Sequence, residues 1–291
     1  MLNNDKLAKL IYWIEEREHI REAKERGEPA PWTEDALLQT YRFCNVCRRD
    51  DRVSDWLIEN VYKPNASSEL LWLMAVCARW VNWPPTIKEL IDERAWPNLW
   101  FNAEHFGKVI DARVNRGEKA WTGAYMIHSL SDPTMQKGMW ISTKCIQPLY
   151  EQRDRFKAFF KSENKSVERA MALFDGCFNF GSFMAGQCVA DLTYTGLLKD
   201  ATDLYTFAPI GPGSMRGMNR LHDRQLEKPM KQAQFTEELQ ELKETLSIEL
   251  PWSRELVTAM DLQSCLCEID KYMRLENGGS VRAKYQPETR F

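Results

Sequence analysis

An all-α fold is what this 291-residue sequence predicts, and three observations predict it. Apolar residues recur at helical spacing over most of the chain. No stretch alternates apolar and polar residues long enough for a multistranded sheet, and prolines cut the middle into short segments. With 44% hydrophobic residues the chain can bury a core, as one helical catalytic domain or as two helical lobes over 1–130 and 131–276, with a basic tail over 277–291.

Residues 3 to 26 read as a charged amphipathic helix, stopped by Gly27, Pro29 and Pro31. Thr33, with Glu34 and Asp35 behind it, is expected to cap the next helix. Leu37, Leu38, Tyr41, Val53, Leu57 and Val61 then mark the inward face of a helix or helix pair reaching about residue 62. Pro64, Pro84, Pro85, Pro97, Pro133 and Pro148 divide the middle of the chain into several short helices. Leu70 to Ala78, the longest apolar run, is far short of the roughly 20 residues of a bilayer span, so no membrane partner is expected. Ser166 to Phe174 and Phe183 to Leu192 are expected as helices separated by Gly176 to Gly181. The pattern halts near Phe207 at a turn, Ala208-Pro209-Ile210-Gly211-Pro212-Gly213-Ser214. Glu227 to Ser247 reads as a polar linker, Leu256 to Met273 as an apolar helix, and the tail from Asn277 as basic and extended.

The formal charge of −3 argues against loose, non-specific DNA binding but leaves room for a local basic groove. No cleavable signal is expected, because Leu7 to Ile14 is interrupted by Lys9 and followed by Glu15 and Glu16. The eight cysteines are accordingly expected as reduced thiols in a cytoplasm. Cys44 and Cys47 with Cys265 and Cys267 make only a weak zinc pattern, since the second pair is spaced C-x-C, and no metal site is expected. His19, His105, His128 and His222 have no metal spacing and read as structural, and the sequence holds no Gly-x-x-x-x-Gly-Lys-Ser/Thr.

Three segments carry charge in patterns that chemistry can use. The turn at Gly211, Gly213 and Ser214 opens a helix with Met215, Met218 and Leu221 on one face and Arg216, Arg220, Arg224 and Lys228 recurring every four residues on the other. A glycine-rich turn, a helix N-terminus and arginines together suit a phosphate, as in a helix-hairpin-helix on a DNA backbone; the alternative is an ordinary helix start with a solvated basic face. In the Leu256 to Met273 helix, Leu262, Leu266, Ile269 and Met273 form the core stripe, while Asp261, Cys265, Glu268 and Tyr272 share another face. Asp261 or Glu268 suits a general base, or else both are solvated; Asp270 and Arg274 are spaced for an ion pair along the helix. Arg42, Asn45, Arg49 and Arg52 fall along one face of a helical stretch and suit phosphate or pyrophosphate, unless Asp50, Asp51 and Asp55 neutralise them.

The same segments resemble a known group. Its marks are Trp32-Thr33-Glu34-Asp35, Tyr41-Arg42-Phe43-Cys44-Asn45-Val46 with Asp51-Arg52-Val53, Gly123-Ala124-Tyr125, and Gly181-Ser182-Phe183 with Gln187 and Asp191-Leu192-Thr193-Tyr194. Gly211-Pro212-Gly213 with Arg216-Gly217 and Leu266-Cys267-Glu268-Ile269-Asp270-Lys271-Tyr272 complete them. In these the chain resembles the alpha-glutamyl/putrescinyl thymine pyrophosphorylase family, phage amino acid:DNA transferases related to the helical domain of 5-hydroxymethyluracil DNA kinases.

The resemblance implies a DNA-glycosylase-like helical fold acting in the host cytoplasm on double-stranded phage DNA whose hydroxymethyluracil is already pyrophosphorylated. An amino acid or polyamine would displace the pyrophosphate, with Mg²⁺ an open question. It assigns Arg42, Asn45, Arg49, Arg52, Gln187, Asp191 and Tyr194 to substrate or pyrophosphate. Gly211, Gly213, Ser214, Arg216, Arg220, Arg224, Lys271 and Arg274 go to DNA, and Asp261 or Glu268 to base catalysis. The stretch Glu227 to Ser247 between turn and aspartate departs from helix-hairpin-helix glycosylases. A base-excising glycosylase and a non-catalytic DNA-binding module are the competing readings.

Overall fold

The computed structural model describes residues 2–122 and 134–280; among these all regular structure is helical and no strand forms. Gly123-Ala124-Tyr125, His128, Pro133, the boundary at 130/131 and the tail beyond 280 lie outside the described residues. In chain order the helices begin with α1 (Asn4–Glu25), α2 (Ala36–Thr40), α3 (Arg52–Leu57), α4 (Leu71–Val81), α5 (Pro84–Asp92) and α6 (Ala103–Asn115). Next come α7 (Lys137–Trp140), α8 (Gln147–Glu151), α9 (Arg153–Lys161), α10 (Val167–Ala172), α11 (Ser182–Leu192) and α12 (Pro212–Leu221). The last are α13 (Gln232–Glu249), α14 (Ser253–Leu256) and α15 (Ala259–Glu276). The chain divides into two compact units, Met1–Asp51 with Asp203–Arg290, and Arg52–Thr202.

In the first unit, α1 starts where Asn3 accepts from the Lys6 N–H at 3.2 Å and ends at Gly27, whose φ of +74° stops the helix. Leu10, Trp13, Ile14, Arg17, Ile20 and Ala23 recur at three- and four-residue spacing and are buried. The cap of α2 is Asp35 and not Thr33: Asp35 Oδ1 accepts from the N–H groups of Leu37 and Leu38 at 2.8 and 3.0 Å. Asp35 serves better because its other oxygen accepts from the hydroxyls of Tyr12 and Tyr272 at 3.1 and 2.6 Å, tying α1 and α15 to the same residue.

Two expectations fail here. Residues 41–47 are not helical, and only Arg48–Asp50 makes a single 3₁₀ turn, so Arg42, Asn45, Arg49 and Arg52 share no helix face. Asn45 spends its polar groups on local bonds instead: its side chain accepts from Arg17 at 2.9 Å and donates to the Asp50 carbonyl at 2.8 Å, and its N–H donates to Asp51 at 3.1 Å. Conversely, most of the supposed linker is α13, eighteen residues long. Phe235, Leu239, Leu242 and Leu246 bury a narrow stripe of it while the rest of its circumference is charged.

The second unit is built around α4, in which all eleven residues are buried. Prolines at the start of α5 and α8 and αL turns at Asn82 and Gly176 set the lengths of the short helices around it. Trp72 on α4 stacks on Phe156 of α9 at 4.1 Å, and Phe174 closes edge-on over Phe156 at 5.4 Å. The helices at Val167–Ala172 and Ser182–Leu192 lie where the periodicity expects them.

Candidate functional site

The tightest packing in the first unit is between α12 and α15, and two glycines permit it. A Cβ on Gly217 would stand 2.1 Å from the Leu266 carbonyl oxygen, and one on Gly213 would stand 3.0 Å from Cys267 Sγ. Gly213 and Gly217 are one helical turn apart, so they form the strip of α12 that lies on α15. The glycine of the expected phosphate turn thus has a packing role. With this contact made, the start of α12 is held over the middle of α15.

What gathers there is polar. Gly211 N–H donates to Ser214 Oγ at 3.0 Å, and Gln263 Nε2 of α15 reaches the same oxygen at 3.2 Å. Cys267 lies beside Ser214, Glu268 and Arg48; burial, and next the Glu268 carboxylate, push its thiol up to about 12. Glu268 is half-buried, 14% exposed, and its Oε2 accepts from Lys271 Nζ at 3.2 Å. Lys271 in turn donates to the Arg42 carbonyl and sits 4.2 Å over the Phe43 ring, so the loop at 42–48 is fixed against this face of α15. The turn at 211–214, Glu268, Lys271 and the Arg42 segment therefore do come together. Arg42, Arg49 and Arg274 have exposed side chains, with Arg49 4.0 Å from Asp50.

Other residues expected in the site have structural work. Asp261 is 3% exposed and closes a capping box: one oxygen accepts from the Thr258 N–H and hydroxyl at 2.9 and 2.7 Å, the other from the Arg48 N–H at 2.8 Å. That leaves it poorly placed to take a substrate proton. Asp270 does not pair with Arg274; it is buried and accepts from Arg216 Nε at 3.0 Å and Arg220 Nε at 2.7 Å, which cross-links α12 to α15. Since α12 ends at Leu221, Arg224 and Lys228 are not on its face, and Arg224 makes a forked pair with Glu238 of α13 at 2.7 and 2.9 Å. The cationic stripe is thus largely neutralised within the unit. Cys47 and Cys265 donate to the carbonyls of Leu256 and Val46 at 3.6 and 3.7 Å, which gives both thiols local partners.

Arg52, Gln187, Asp191 and Tyr194 belong to the second unit. Asp191 is fully buried: Arg79 grips it with Nε at 2.7 Å and Nη2 at 2.5 Å, and the Tyr62 hydroxyl donates to it. Arg79 also reaches Ser54 at 2.8 Å and Asn82 at 3.1 Å. Asp191 is therefore the anchor of a buried network and not a substrate contact, whereas Arg52, Gln187 and Tyr194 are half-buried at its periphery.

Sequence reasoning missed Gln263, Cys267, Lys271 as a partner of Glu268, and the Arg79 network. A lone arginine inside the apolar run of α4 is the signal for the last, because a buried charge needs a partner.

Among the described residues no group of three or more His, Cys, Asp or Glu is arranged for a metal ion, and no helix is long and apolar enough to cross a membrane. The family model described as "5-hmdU DNA kinase, helical domain" matches residues 4–280. A protein named 5-hmdU DNA kinase from Bacillus phage SP10 is 27% identical over 212 residues, 66% of this chain and 32% of that protein. The chain thus spans about a third of the length of that relative. No solved structure matches. With the match running through both units, the chain belongs to the family of the 5-hmdU DNA kinase helical domain.

Proposed function

We propose that the chain modifies a thymine-derived base in double-stranded phage DNA, displacing pyrophosphate from 5-pyrophosphoryloxymethyluracil with an amine. The observation that carries this is the family match over residues 4–280, to the helical part of a hydroxymethyluracil DNA kinase, on a sequence without a P-loop motif. A step other than phosphoryl transfer from a nucleotide fits such a chain. In the reaction the bond from the 5-methylene carbon to oxygen breaks, pyrophosphate leaves with the electron pair, a carbon–nitrogen bond forms, and the nitrogen loses a proton.

Glu268 is the group we assign to that proton, in preference to Asp261, because it is half-buried beside the α12 turn and has a cation next to it. Lys271 and the backbone N–H groups at Gly213 and Ser214 are assigned to the developing negative charge on pyrophosphate. Arg42, Arg49 and Arg274 are assigned to the DNA backbone, with the turn at Gly211–Ser214 in the manner of a helix-hairpin-helix and the fold DNA-glycosylase-like. Gln187, Tyr194 and Arg52 stay as substrate contacts from the second unit, while Asp191, Asp261 and Arg224 leave the proposed site. The site of action is the host cytoplasm, and the donor is an amino acid or polyamine.

The test is to incubate the purified chain with DNA carrying pyrophosphorylated hydroxymethyluracil and a panel of amines, with and without Mg²⁺. Pyrophosphate release and an amine-bearing nucleoside by mass spectrometry are expected. No adduct with any amine, or alkali-labile abasic sites in its place, would end the transferase reading.

A further inference from the structure

Between α5 and α6 of the second unit the chain runs Trp96-Pro97-Asn98-Leu99-Trp100-Phe101-Asn102. Its two ends are fixed. Trp96 and Phe101 are buried and meet Phe106 with ring centroids at 6.1 and 5.5 Å, and Phe101 also meets Tyr150 edge-on at 5.8 Å. Asn102 caps α6 by accepting from the His105 N–H at 3.0 Å, and the Asn98 N–H donates to the Trp100 carbonyl at 3.3 Å. The residues between these anchors stand out of the surface: Leu99 is 89% exposed and Trp100 63% exposed.

Among the described residues these are the two most exposed large apolar side chains on this unit, and they are adjacent on a short, well-anchored tip. A turn of this kind is ordinarily made of small polar residues, so an apolar pair here calls for an occupant. A protrusion of two side chains is far smaller than the roughly 800 Å² that each partner of a stable protein interface buries. It does match one base step, where apolar side chains enter as wedges and unstack the duplex.

We propose that Leu99 and Trp100 insert into the base stack beside the target base and hold its place when it leaves the helix. This rests on the reading that the chain acts on a base in DNA. In the duplex the 5-substituent lies in the major groove, and an enzyme that takes the base into a pocket must offset the lost stacking. The Trp100 indole offers a flat face for a neighbouring base, and Leu99 fills the gap.

The experiment uses the full chain and a duplex with 2-aminopurine next to a 5-hydroxymethyluracil, read by 2-aminopurine emission and by binding. We expect the wild type to raise the emission. Leu99→Ala with Trp100→Ala abolishes the rise and weakens binding roughly 5- to 150-fold, the range that loss of base–aromatic stacking produces. Trp100→Phe retains most of both. Because both side chains are exposed, the variants keep the wild-type melting temperature. Wild type that binds the duplex without changing the emission overturns the wedge and leaves the DNA reading standing. Wild type that binds no DNA removes both, and variants that lose self-association while keeping the emission change make the tip a protein contact and overturn the wedge.

Discussion

Gly217→Ala probes the contact that positions the candidate site. The added Cβ would stand 2.1 Å from the Leu266 carbonyl oxygen and 2.8 Å from its carbon. An ordinary carbon–oxygen contact is about 3.3 Å, so α12 and α15 must separate by about 1.2 Å. The obstacle is helical backbone and cannot rotate away. Overpacking of this kind costs about 3 kcal/mol, while alanine in place of glycine in a helix returns about 1 kcal/mol, leaving about 2 kcal/mol of destabilisation. In thermal unfolding this is a fall of roughly 4–8 °C. Gly213→Ala meets the Cys267 side chain at 3.0 Å, which can give, and costs less; Gly196→Ala meets nothing within 4 Å and serves as the control. The order of stability should be Gly196→Ala, then Gly213→Ala, then Gly217→Ala. A Gly217→Ala protein that melts within about 1 °C of wild type would refute the packing argument.

In the second unit, Asp191→Asn leaves Arg79 buried without its counter-charge and should destabilise by about 3–5 kcal/mol, seen as a lower urea midpoint; a change below about 1 kcal/mol would mean the network is dispensable. His222 has its pKa lowered by burial, partly opposed by Glu238, so the unfolded chain takes up the proton more readily than the folded one. Stability tied to it is complete above its ordinary value of 6.5 and declines as pH falls below that, so wild type should lose more melting temperature between about pH 7.5 and 5.5 than His222→Gln; equal losses would clear His222 of the effect. Glu268→Gln should keep the fold and lower amine transfer by at least about 100-fold, and transfer within a few-fold of wild type would remove Glu268 from the base role.

The helices were legible where the apolar stripe is broad. In α1, α4 and α15 buried residues follow the three- and four-residue rule, and the caps or breakers at Asn3, Gly27 and Thr258 stand in the sequence beside them. The stripe of α13 is narrow, so its charged majority resembles a linker until Phe235, Leu239, Leu242 and Leu246 are placed against a core. Residues 41–50 failed the other way: Tyr41 to Arg52 alternates apolar and basic residues plausibly for a helix, yet Asn45, Asp50 and Asp51 bond locally and hold the backbone open. Local patterns reveal which side of a segment is charged, and they do not reveal which charge from a distant segment neutralises it.

That limit explains the fate of the candidate site. Arg216 and Arg220 were visible as a pair one turn apart, and Asp270 was visible as a lone acid on the far side of α15, but their meeting depends on how closely Gly213 and Gly217 let the helices approach. The same closeness brings Ser214 to Cys267 and thereby the α12 turn to Glu268. Between the two carboxylates the sequence did contain a discriminator, since Thr258-x-x-Asp261 ahead of an apolar run is a helix-start pattern that consumes the aspartate. Glu268, one turn beyond Ser264 and with no cap to serve, is the carboxylate that the fold leaves beside a cation and a helix N-terminus, and for that reason the proposed proton transfer is assigned to it.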